Sequence, residues 1–164
     1  MLSAQLTRLD EQTARRHANA RLLDAELVKI EGVTPQRLGA QCTRSGQYAQ
    51  IFHVDSAKFG GISMQRFVEA MIAEGIPNQA SYPPLHERDV FRNGSYRERL
   101  SGTQKTEPHE FLRGEFLNTK QAAWETYWVP QTALLGDAED MTEIVDAVRK
   151  IQRNSRELTA VRGN

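Results

Sequence analysis

Near the end of the chain, Met141, Ile144, Val145, Val148 and Ile151 fall on one helical stripe, and this limits the fold more than any other feature of the sequence. A helix with such a face must bury it against a sheet or other helices. The pattern predicts a terminal helix opened by a capping box of Asp140 and Glu143. Arg149, Lys150 and Arg153 complement its C-terminus. A second stripe, Leu6, Leu9, Ala20, Leu23, Leu27 and Ile30, predicts a long N-terminal helix over residues 1–31, closed by Gly32 and stopped by Pro35. Thr13, Arg16 and His17 dilute its first half, which is expected to pack against something less apolar than a core of its own.

Between these helices the texture changes. Tyr48, Gln50, Phe52 and Val54 alternate on one face of a predicted strand over 47–54, with His53 on the outward face. Asp55 to Gly61 is turn chemistry. Ser63 then caps a helix whose stripe is Phe67, Val68, Met71 and Ile72, with Ile62 placed to staple onto Phe67. Gly75 ends it. Residues 76–85, with Pro77, Pro83 and Pro84, read as loop and at best an edge strand. Residues 92–114 form a charged surface excursion. Asn118 is expected to cap a short helix to Glu125, leading into a strand at Tyr127, Trp128 and Val129. The organisation read from this is an aminoterminal helix and body over 1–154 followed by a polar tail over 155–164. Few strands separated by helices indicate an α+β fold, one small sheet covered by helices.

With 21 basic and 21 acidic residues the formal charge is zero, which does not suit a protein that coats nucleic acid. No run is apolar and long enough to span a bilayer, and the start does not resemble a signal peptide, so the chain reads as cytoplasmic. A single cysteine, Cys42, makes no internal disulfide and is expected as a small buried thiol. His17, His53, His86 and His109 are scattered, and His109-Glu110 lacks the second histidine of a zinc helix, so no metal site is expected. His17 and His109 read as solvated. No phosphate-cradling glycine pattern is present, and Gly60-Gly61 reads as a turn. Asn93-Gly94-Ser95 also reads as a turn. Arg88, Arg92, Arg97 and Arg99 cluster around Tyr96, interrupted by Glu87, Asp89 and Glu98, which fits a solvated loop or a contact to phosphate or another subunit.

Several segments carry more than composition. RHANARLLDAELVKIEGV from Arg16 to Val33, FGGISMQRFVEAMIAEGIP from Phe59 to Pro77 and YPPLH from Tyr82 to His86 resemble the C-terminal third of the DegT/DnrJ/StrS-type aminotransferases. WVPQ from Trp128, LLGDAEDM from Leu134 and the terminal helix resemble that family's closing segment, in the same order. The resemblance implies the small domain of a fold-type-I, pyridoxal-phosphate-dependent enzyme that aminates sugars or cyclitols. Such a domain is an antiparallel sheet with helices on one side and a long helix bridging from a large domain.

The resemblance further implies a wall on the substrate side of the cleft rather than a catalytic centre. Tyr82 and His86 are its implied substrate contacts, while packing of Tyr82 on the sheet remains the other reading. The Schiff-base lysine, the acid at the pyridinium nitrogen and the phosphate-binding helix belong to the large domain in the family. None of Lys29, Lys58, Lys105, Lys120 and Lys150 sits in the family's Ser-x-x-Lys context. No cofactor is therefore expected on this chain alone, which would be inactive without a large catalytic domain as partner. One departure stands out: where many relatives carry RHAYH, this chain has RSGQY from Arg44 to Tyr48, so Ser45 stands in place of a histidine. A second reading is a non-catalytic interaction module that self-associates or binds a partner through the first helix. A third, an unrelated small enzyme with His86 or His109 as base, lacks a defined partner group.

Overall fold

The computed structural model describes residues 2–92 and 114–160. The predicted excursion over 92–114, with Tyr96, Arg97, Arg99, Lys105, His109 and the Asn93 turn, lies almost wholly outside the described residues. The chain divides into two compact units, residues 1–80 with 125–164, and residues 81–124.

In the first unit the N-terminal stripe forms two helices, α1 (Leu2–Leu6) and α2 (Leu9–Leu27). The single helix expected over 1–31 is thus interrupted and shorter. The break falls at Thr7-Arg8, where Arg8 takes φ −104° and ψ −2° and its N–H donates to the Gln5 carbonyl at 3.2 Å. At the other end the bonds tighten to three-residue steps, Lys29 N–H to Glu26 and Ile30 N–H to Leu27, before the chain leaves the helix. This turn delivers Val33 to a short strand absent from the sequence reading, β1 (Val33–Pro35).

Strands β2 (Ala49–Val54), β3 (Gln79–Ala80) and β4 (Thr126–Pro130) complete an antiparallel four-stranded sheet of order β1-β2-β4-β3. The proline-flanked segment is thus an edge strand, where a missing N–H does least harm. Gln50, Phe52 and Val54 face inward as predicted, but Tyr48 does not share their face. Gln47 adopts φ +45°, which breaks the two-residue alternation just before the strand, and Tyr48 is left exposed.

Helix α3 (Met64–Ala73) starts where the Ser63 hydroxyl accepts from the Arg66 N–H at 3.2 Å. It ends on a Schellman turn: Ile76 N–H donates to the Met71 carbonyl, Gly75 N–H to that of Ile72, and Gly75 takes φ +84°. Ile72, expected in the stripe, is exposed, whereas Met64 is buried.

Helix α6 (Ala138–Arg153) carries the predicted stripe, every member of it buried. Its capping box lies one turn earlier than expected, because Asp137 precedes the helix. Its carboxylate accepts from the Glu139 and Asp140 N–H groups at 2.9 and 3.0 Å, and Asp140 accepts from the Asp137 N–H at 2.7 Å. Beyond Asn154 the chain continues as a further helix, α7 (Ser155–Ala160). Its buried Ser155 packs so closely on Gly60 that a Cβ there would lie 2.8 Å from the Ser155 hydroxyl, and Gly60 also has φ +64°.

Residues from α2, α3 and α6 meet one face of the sheet in a single core with Phe52, Val54, Tyr127 and Val129. Tyr127 stacks on Phe52 at 5.4 Å and meets Phe67 at 4.9 Å. The opposite face carries Ile51, His53 and Trp128, all half-buried. Cys42, expected as a buried thiol, is exposed, because the loop before β2 contributes nothing to the core. Among the described residues no helix is long and apolar enough to cross a membrane.

Within the second unit, α4 (Asp89–Arg92) follows a single turn at Leu85–Glu87, and α5 (Leu117–Glu125) leads towards β4. Asn118 lies inside α5 rather than capping it. Phe116, at φ +43°, precedes the helix, and its carbonyl accepts from the Lys120 N–H.

Candidate functional site

The second unit holds an open cleft of about 450 Å³ between the Ser81–Leu85 segment and α5. Ser81, Tyr82 and Pro83 form one side, Asn118, Thr119 and Ala122 the other. The two prolines restrict the backbone of the first wall, and Tyr82 stands 70% exposed on it. A phenol, two hydroxyls and an amide are among the side chains that line it, beside the apolar Pro83, Pro84, Leu85 and Ala122.

The structure does not place the two predicted contact residues alike. His86 follows Tyr82 by one short turn but is absent from the cleft lining. Its ring lies 4.6 Å from that of Phe116, and its side chain is 12% exposed. Nε2 has no hydrogen-bond partner and sits 3.9 Å from the Glu87 carboxylate, which also faces Lys120 at 3.6 Å.

In the first unit the departure at Ser45 has a structural counterpart. His17, expected to be solvated, is half-buried, with Nε2 2.6 Å from the Ser45 carbonyl oxygen. The Ser45 hydroxyl accepts from the Gln47 N–H at 3.2 Å. This links α2 to the loop before β2, where Gln47 takes its left-handed conformation. On the outward face of the sheet His53 Nε2 lies 2.6 Å from the Glu125 carboxylate, a pair that sequence reasoning missed because 72 residues separate the two. Gln50 donates to Asp24 at 2.6 Å on the opposite side, and burial raises the Asp24 carboxyl above its ordinary value.

Among the described residues no cluster of three or more His, Cys, Asp or Glu side chains is suited to a metal. For a pyridoxal aldehyde the test is an amine that can lose its proton inside a recess. Lys29 is bound to Glu26 at 2.5 Å, Lys58 to Glu31 at 2.5 Å, Lys120 to Glu87 at 3.6 Å and Lys150 to Glu74 at 2.8 Å. Lys29, Lys58 and Lys150 are exposed and Lys120 is half-buried. The hydrogen bond that Lys58 donates to the Glu31 carboxylate raises its ammonium above the ordinary value, the wrong direction for carbonyl capture. These four lysines do not fit the cofactor, and Lys105 lies outside the described residues.

The antiparallel sheet with its one-sided helical cover is an aminotransferase fold. The crystal structure of 3-amino-5-hydroxybenzoic acid synthase matches it with a TM-score of 0.69 at 26% identity, over 91% of this chain and 37% of that one. The chain belongs to the DegT/DnrJ/EryC1/StrS aminotransferase family, whose profile matches residues 1–149. Among curated relatives, the L-glutamine:2-deoxy-scyllo-inosose aminotransferase of Micromonospora echinospora is 34% identical over 161 residues, 96% of this chain and 37% of the relative. The enzyme of the same description from Streptomyces paromomycinus is 33% identical over 168 residues, 97% of this chain and 38% of the relative. The chain thus spans under two-fifths of the length of the relatives it matches. The family is one of pyridoxal-phosphate-dependent enzymes that act on sugars and cyclitols.

Proposed function

We propose that residues 1–154 serve as the small domain of a cytoplasmic pyridoxal-phosphate-dependent sugar or cyclitol aminotransferase, walling the substrate side of its cleft. The carrying observation is the match itself: nearly all of this chain corresponds to under two-fifths of a cyclitol aminotransferase. The pairing of Lys29, Lys58, Lys120 and Lys150 with carboxylates supports the second half of the reading, that the amine for the cofactor comes from a large catalytic domain. Without that domain this chain does not transaminate. Tyr82 touches the substrate from the proline-stiffened wall. His86, whose Nε2 is unpaired, supplies a second polar contact if its ring leaves Phe116 when substrate binds.

The test begins with the chain alone, treated with pyridoxal phosphate and then borohydride. The expected result is no stoichiometric lysine adduct, and a single adduct at any one lysine overturns the proposal. Supplied with a family large domain, the chain should restore amination of a cyclitol ketone in proportion to complex formed. In that complex Tyr82→Phe and His86→Ala should raise KM more than they lower kcat, as expected for groups that bind rather than react. An unchanged KM in both variants removes them from the site.

A further inference from the structure

Arg16 is the only charged side chain buried among the described residues, at 6% exposure. Its Nη1 donates to the Gln131 amide oxygen at 3.3 Å and its Nη2 to the Thr13 hydroxyl at 3.1 Å. Nε is buried without any acceptor. Both existing partners are neutral, so the guanidinium has lost water without gaining a counter-charge, an arrangement that is costly in a folded chain.

Arg16 also lines an open groove of about 540 Å³ at the head of the first two helices. The other walls include Leu6, Leu9, Arg8, Gln12 and Gln131, and among the described residues no carboxylate lines it. Leu6 and Leu9 are exposed, apolar side chains beside a buried cation. The groove is therefore apolar, positively charged and short of one anion.

We propose that this groove seats a segment of the catalytic domain that presents a carboxylate to Arg16 and apolar side chains to Leu6 and Leu9. This rests on the reading of the chain as one domain of a larger aminotransferase. A carboxylate answers the defect because it supplies the missing counter-charge and accepts charge-assisted bonds from the part of the guanidinium that lines the groove, stronger than the neutral ones now present. A second copy of this chain answers it poorly. Two-fold pairing would set groove against groove and bring Arg8 and Arg16 towards their own counterparts.

The test uses the full chain and two blocked peptides, acetyl-Leu-Glu-Leu-amide and acetyl-Leu-Gln-Leu-amide, followed by NMR at the Arg16 Nε–Hε group and the Leu6 and Leu9 methyls. The glutamate peptide should shift all three and bind at least about fivefold more tightly than its glutamine twin, a preference lost in Arg16→Met. Equal affinity for both peptides or no binding of either overturns the proposal. So does a concentration-dependent dimer that shifts the same signals. If the variant does not fold, the peptide preference of the unaltered chain decides. No cofactor or turnover enters the readout, so failure here is distinguishable from failure of the aminotransferase assignment.

Discussion

Helices α2 and α6 contribute to one core, yet they reach it by different chemistry. Along α6 every inward position from Met141 to Ile151 is apolar, and burial alone suffices to seat it. Along α2 the inward positions begin with Thr13, Arg16 and Asn19 and turn apolar only at Ala20, Leu23 and Leu27. The polar half is held by particular acceptors. Asn19 Nδ2 donates to the carbonyls of Leu134 and Gly136, both at 2.9 Å, and Arg16 donates to Gln131. The expectation that this half leans on something other than a private apolar core is met within the chain itself, by residues 131–136. A hydrophobic stripe tolerates approximate partners, whereas a polar stripe demands partners at set positions.

Three substitutions probe this contrast. Ile144→Ala removes apolar volume from the fully buried seam and should cost about 2–5 kcal/mol in urea unfolding. Asn19→Ala leaves two carbonyls without their donor and should cost about 1–3 kcal/mol. A loss below about 0.5 kcal/mol would mean that water replaces Asn19 and that the polar half is no more demanding than a surface.

The smallest effect concerns Asp24, between the two halves, whose carboxyl is raised by burial and only partly offset by the Gln50 hydrogen bond. A raised carboxyl binds more proton folded than unfolded. Its contribution is most favourable below the ordinary carboxylate value and is lost as pH rises through the folded value. Asp24→Asn keeps an acceptor for Gln50 and should therefore gain on the unaltered chain over the range in which pH rises from the ordinary carboxylate value through the folded one. A Tm difference constant across that range would show that Asp24 is not desolvated.

Much of the fold is legible in order along the chain. The α6 stripe, the Ser63 cap, the Gly75 stop and the inward face of β2 are local patterns, each fixed by neighbours a few residues away. The errors share a cause as well. Asp137 rather than Asp140 caps α6, Ile72 faces out and β1 went unread, because a short strand at Val33 exists only by pairing with Val54 across the sheet. For the candidate site, YPPLH already singled out Tyr82 on a stiffened loop. That His86 turns to Phe116, 30 residues on, follows from no spacing.

The sequence by itself determined the family, the helical stripes and the class of fold, since periodicity and capping are short-range properties of the chain. Only tertiary structure decided which polar side chains would be enclosed. Arg16, Asn19, Asp24 and Glu125 look like ordinary surface residues until distant segments fold over them or beside them. Their burial and pairing set the charge balance of the core edge and of the groove, because solvent exclusion depends on everything packed around a group and not on its neighbours in sequence.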